Sequence, residues 1–135
     1  MWTATGWQVM AMAKLESTLE EVITRVDKLK PNPYTDEQKT AWINKVEGML
    51  QTDVYDRQLH YITVLEYEQD KDRPLLAPMP HSDIYDHYLM AMIDYTNGDV
   101  ESYTNSMLMF NASYNMAVKA LRKDNPKNTH FKNWW

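Results

Sequence analysis

The chain has 135 residues, 44% of them hydrophobic, and a formal net charge of −5, which points to one domain hiding about two-thirds of its unfolded surface. It contains no cysteine, so disulfides and zinc–thiolate centres are excluded and the chain suits a reducing cytoplasm. No apolar stretch approaches the ~20 residues that span a bilayer, and residues 1–14 lack the charged start of a secretory signal, so a soluble protein with no membrane partner is expected.

Residues 1–16 carry Trp2, Trp7, Val9, Met10 and Met12 without caps or periodicity and read as an N-terminal arm, with Met12 a second candidate start. Ser17 or Thr18 then caps a first helix whose face is Leu19, Val22, Ile23, Val26 and Leu29, with Ser17 and Glu20 spaced as a capping box. Pro31 and Pro33 end it near Lys30. Thr35, with Gln38 three residues on, opens a second helix with Trp42, Ile43, Val46, Met49 and Leu50 as its buried stripe, fading near Tyr55.

Residues 56–80 are the least helical part. Tyr61 to Tyr67 is rich in β-branched and aromatic residues, Gln69 to Arg73 forms a charged turn, and Leu75 to Ala77 can return as a short strand, so a small β-hairpin or an extended loop is expected there. Pro74, Pro78 and Pro80 restrict the returning arm to an edge position.

Ser82 or Asp83 starts a third helix, with Ile84, Tyr88, Ala91, Met92 and Tyr95 at helical spacing and Asn97-Gly98 as its stop. The fourth helix, Asp99 to Lys123, follows after so short a corner that the two must form an αα-hairpin. Along it Val100, Tyr103, Met107, Phe110, Tyr114, Ala117 and Leu121 recur at intervals of three and four, an apolar seam that calls for burial along its length. Further apolar residues on both helices fall outside the seam, which favours a second covered face. The fold class is thus mainly α: a four-helix bundle-like subunit with a long C-terminal helix, an arm at 1–16, a helical domain at 17–123 and a tail at 124–135.

Lys119, Arg122, Lys123, Lys127 and Lys132 stand against the single acid Asp124 near the C-terminus, leaving nine bases and eighteen acids elsewhere, so a body of about −9 ends in a tail of about +4. Such a body repels nucleic acid while the tail is fitted to an acidic partner; bases at a helix C-terminus also simply complement its dipole. Phe131, Trp134 and Trp135 add three large aromatics to that tail, which call for a surface to bind.

Chemistry-bearing constellations are sparse. No Glu-x-x-His pair of the di-metal helical type occurs. The nearest substitute is Asp83 with His87, beside Asp86 and His81, and carboxylates at a helix start ordinarily serve its dipole. There is no nucleophile elbow, and Gly6, Gly48 and Gly98 make no phosphate-cradling loop. No catalytic residue, metal or cofactor is assigned, and a non-enzyme is expected. A DNA-reading helical regulator is a reading from another class, but no helix before Lys119 presents a basic recognition face. The nine tyrosines and ten methionines, many between Tyr85 and Met116, instead suit adaptable protein contacts. Tyr85, Tyr88, Met92 and Tyr95, the bases Lys119, Arg122 and Lys123, and the aromatics Phe131, Trp134 and Trp135 are the partner-binding candidates.

The runs TLEEVITRVDKLKPNPY from Thr18, KTAWINKVEG from Lys39, LLAP from Leu75, DIYDHYLMAMIDYTNG from Asp83 and SMLMFN from Ser106 resemble small head-tail connector (adaptor) proteins of tailed bacteriophages and Gram-positive prophages. The likeness runs from Leu19 to Lys123; residues 1–16 and 124–135 have no counterpart in it. It implies a noncatalytic virion protein of the neck, made in the host cytoplasm, that joins a ring of like subunits, commonly twelve, beneath the portal. Its partners would be itself, the portal protein, a downstream neck or tail protein, and DNA passing without sequence-specific contact. A stopper or tail-completion protein of the neck is the neighbouring alternative.

Overall fold

The computed structural model describes residues 16–125. Thr18 is extended and its hydroxyl accepts the Glu21 amide at 3.2 Å, satisfying one of the N–H groups that a helix start leaves open. This begins α1, Leu19–Leu29. Ser17 does not serve as the cap: it is buried, and its carbonyl accepts the Leu75 amide. Thr35 opens α2, Asp36–Asp53, with the expected reciprocal capping box, the Gln38 amide on Thr35 Oγ1 at 3.1 Å and the Thr35 amide on Gln38 Oε1 at 3.0 Å.

After a 3-10 turn at Leu59–Tyr61 and the one-turn helix α3, Tyr67–Asp70, come α4, Asp83–Thr96, and α5, Val100–Asp124. The corner between α4 and α5 follows from its residues. The Gly98 amide bonds to the Tyr95 carbonyl and the Asp99 amide to the Asp94 carbonyl, a Schellman closure that needs a left-handed residue, supplied by Gly98 at φ 82°. Asp99 then caps α5 by accepting the Ser102 amide at 3.1 Å. At 25 residues, α5 is about 37 Å long.

The four long helices share one core. Leu19, Val22, Ile23 and Val26 of α1 meet Ile43, Val46 and Leu50 of α2, Ile84, Tyr85, Leu89 and Ile93 of α4, and Phe110, Tyr114, Ala117 and Leu121 of α5. Trp42 and Met49 sit at its margin, half-buried. Helix α4 packs against α1, α2 and α5, which is why more of its surface is buried than its expected stripe. Ion pairs fix α1 alongside α4 in the same direction: Arg25 grips Asp86 with two bonds of 2.8 and 2.7 Å, and Lys30 holds Asp94 at 2.6 Å.

Two expectations of burial are corrected. Leu29 is exposed, because at 100° per residue it falls about 70° off the centre of the α1 face. Val100, the first residue of the seam, is exposed as well, since the first turn of α5 lies at the hairpin corner where α4 has ended. The seam is buried from Phe110 onward and half-buried at Tyr103 and Met107.

Of the two forms expected between α2 and α4, hairpin or extended loop, the structure takes the second: no strand forms among the described residues, and residues 62–66 make an extended loop. The β-like pattern is real, but its backbone partners are side chains of α2. The Asn44 amide group donates to the Leu65 carbonyl at 2.9 Å and accepts the Leu65 N–H at 2.8 Å; Gln51 does the same for Thr63 at 3.0 and 2.8 Å. Two turns apart on one helix face, these amides imitate a neighbouring strand. The returning arm bonds elsewhere, through a bridge between Pro74 and Thr18, the Leu75 amide on Ser17 and the Leu76 amide on Glu47.

Candidate interaction site

Helix α5 carries two unlike faces. One is the core face from Phe110 to Leu121. Opposite it, at 100° per residue, Leu108, Met109, Ala112 and Met116 form a stripe that nothing covers among the described residues: Leu108 is 64% exposed, Met109 55% and Met116 64%. Glu101 and Asn105 precede this stripe, Lys119 and Lys123 follow it, and all four are exposed.

Two further apolar surfaces lie at opposite ends of the bundle. At the hairpin corner Tyr95 and Val100 are exposed, and the Tyr95 ring leans on Tyr103 at a centroid distance of 5.2 Å. At the other end Leu59, Tyr61 and Val64 project from the loop. That end is held to α5 by Asp53: its carboxylate accepts the Tyr114 hydroxyl at 2.7 Å, and its backbone carbonyl accepts Arg122 at 3.0 and 2.8 Å. Burial and the bond to Asp53 push the Tyr114 hydroxyl well above the usual tyrosine range.

The expected partner-binding residues divide. Tyr95, Lys119, Arg122 and Lys123 are exposed. Tyr88 and Met92 are half-buried, with the Tyr88 ring on Phe110 at 5.1 Å. Tyr85 is not a surface residue: it is fully buried, donates its hydroxyl proton to Glu47 and accepts the Ala77 amide at 2.9 Å. Phe131, Trp134 and Trp135 lie outside the described residues. The uncovered residues Leu59, Tyr61, Val64, Leu108, Met109 and Met116 were not among the candidates. The α5 stripe had a visible signal, apolar residues off the heptad seam; the loop residues looked like strand.

The acidic cluster at the start of α4 does not converge. Asp86 is taken by Arg25, Asp83 lies 3.5 Å from His87, and among the described residues no three acidic or imidazole groups are placed to hold a metal. Glu47 and Tyr85 both have pKa values raised chiefly by burial, yet the space beside Glu47 is only about 70 Å³. That is room for a few waters, well below the 300–1,000 Å³ typical of ligand sites.

No family model, curated protein or solved structure matches this chain. Among the described residues no helix is long and apolar enough to cross a membrane. A groove of about 780 Å³ lies along α1, lined among others by Thr18, Arg25, Lys28 and Leu29; the other features are contact surfaces: apolar patches at two ends, an apolar stripe between them, and an acidic body with a basic C-terminal edge.

Proposed function

We propose that this chain is a noncatalytic head-tail connector of a tailed bacteriophage, a neck subunit that joins a ring beneath the portal, extends the DNA channel and receives the next neck or tail component. The observation that supports it best is the pair of apolar surfaces at opposite ends of the bundle, Tyr95 and Val100 at one and Leu59, Tyr61 and Val64 at the other. A ring closes through heterologous contacts, and a joint between two different neighbours likewise needs two unlike surfaces. The net negative body fits a channel through which DNA slides without sticking, and Lys119, Arg122 and Lys123 give an edge for an acidic collar.

The test is to mix the purified chain with the portal protein of the same phage and image the product by negative stain. Rings stacked on the portal are expected, and they should be lost in a Leu59→Ser, Tyr61→Ser variant that keeps wild-type helicity. A chain that ignores the portal and retards a DNA fragment at moderate salt would instead be a nucleic-acid regulator.

A further inference from the structure

The outer face of α5 is laid out symmetrically about Ala112. Glu101, Asn105, Leu108, Ala112, Met116, Lys119 and Lys123 are all exposed and recur at intervals of 4, 3, 4, 4, 3 and 4, which keeps them within about 40° of one line along the helix. The spacing is the same read from either end, but the chemistry is opposed: an acid and an amide at the start, two bases at the end, and the apolar stripe between them. We infer that this face is covered by the same face of a second copy, the two α5 helices lying antiparallel about a two-fold axis through Ala112.

Charge selects this arrangement. Antiparallel, Glu101 of each copy stands opposite the partner's Lys123 and Asn105 opposite the partner's Lys119, while Leu108 meets the partner's Met116 on both sides of the axis. Parallel helices would instead set Glu101 against Glu101 and Lys123 against Lys123. Among the described residues neither Glu101 nor Lys123 makes an ion pair within its own copy.

Size agrees. Ala112 has the smallest side chain of the seven and sits at the axis, where it permits the approach of about 8–10 Å found between packed helices. Glu101 to Lys123 spans about 33 Å at 1.5 Å per residue. A contact that long and one helix wide belongs with the smaller specific interfaces, below about 800 Å² per partner, so a pair that dissociates at micromolar concentrations is expected. An isologous pair closes on itself and cannot extend into a ring. The contact therefore belongs to the free chain and does not depend on the connector reading.

The absence of cysteine permits a direct test in the full-length chain. Ala112→Cys brings two thiols together at the axis, whereas Asn111→Cys, exposed at the same level but turned about 100° away, keeps them apart. Under mild oxidation the first variant is expected to give covalent dimers about tenfold faster than the second. In the cysteine-free chain, Glu101→Lys or Lys123→Glu alone sets like charges opposite each other at both ends and should weaken dimerisation in sedimentation equilibrium by about tenfold. An equimolar mixture of these two variants should recover it, since each then supplies the charge that the other needs. A monomer at every concentration, equal oxidation rates, or a mixture no tighter than its components would overturn the inference.

Discussion

The hydroxyl of Tyr85 and the carboxylate of Glu47 meet inside the core, joining α4 to α2 across 38 positions of sequence. Each is already committed elsewhere: Tyr85 accepts the Ala77 amide, and Glu47 accepts the Leu76 amide at 3.0 Å. The pair thereby anchors the loop arm before α4 to the bundle. Glutamine at 47 can accept from Tyr85 or from Leu76, but its NH₂ must then face a donor. Glu47→Gln and Tyr85→Phe should each destabilise the protein by about 1–3 kcal/mol in urea unfolding.

The same pair carries a pH signature. Burial, outweighing the bonds from Tyr85 and Leu76, holds the Glu47 carboxyl above its ordinary value of 4.5. A carboxyl with a higher pKa in the folded state stabilises the fold while it keeps its proton; that contribution is complete below the unfolded value and is lost as pH rises through the folded one. The Glu47→Gln penalty should therefore be greatest below pH 4.5 and shrink toward neutrality. A penalty that grows with pH in paired urea titrations would contradict this.

Lys39 is buried, and its ammonium reaches Asp27 at 2.6 Å, while Asp27 is partly exposed and also accepts Asn32 at 3.0 Å. Removing the two partners should have unequal effects. Asp27→Ala strands a buried cation and is expected to lower stability by about 3 kcal/mol, whereas Lys39→Met leaves a carboxylate that water can reach and should change it by less than about 1 kcal/mol. Thermal unfolding of the two variants ranks them.

Asn44 and Gln51 hold Leu65 and Thr63 by their peptide groups. Asn44→Asp keeps the acceptor and loses the donor, leaving the Leu65 carbonyl without its partner, at about 1–2 kcal/mol. Amide exchange should accelerate across residues 62–66 before the rest of the protein responds. Uniform acceleration throughout the bundle would mean the loop is not held locally.

Gly98 has open space where a Cβ would go, but its φ is 82°. Gly98→Ala should therefore lower stability by about 1 kcal/mol through backbone strain alone, with no change in the packing of Tyr95 against Tyr103 seen by NMR.

Much of this was legible in the sequence. Periodicity located the four long helices, the Thr35–Gln38 box fixed a start and Asn97-Gly98 fixed a corner, because each depends on residues close in sequence. Tyr85 was misassigned to the surface because its burial depends on an acceptor 38 residues away, which no local pattern reports. The choice between hairpin and extended loop was not legible for a related reason: the segment around Thr63 has strand chemistry, but amide side chains on a helix take the place of a second strand. Val100 had the right spacing and no helix beside it.

The amide row on α2 separates anchorage from identity. Asn44 and Gln51 grasp main-chain atoms, which every amino acid except proline supplies in full, so the outward residues of that loop can be exchanged without releasing it. Leu59, Tyr61 and Val64 are thus free to be retuned toward a different neighbour, while the two helix positions beneath them must stay as they are.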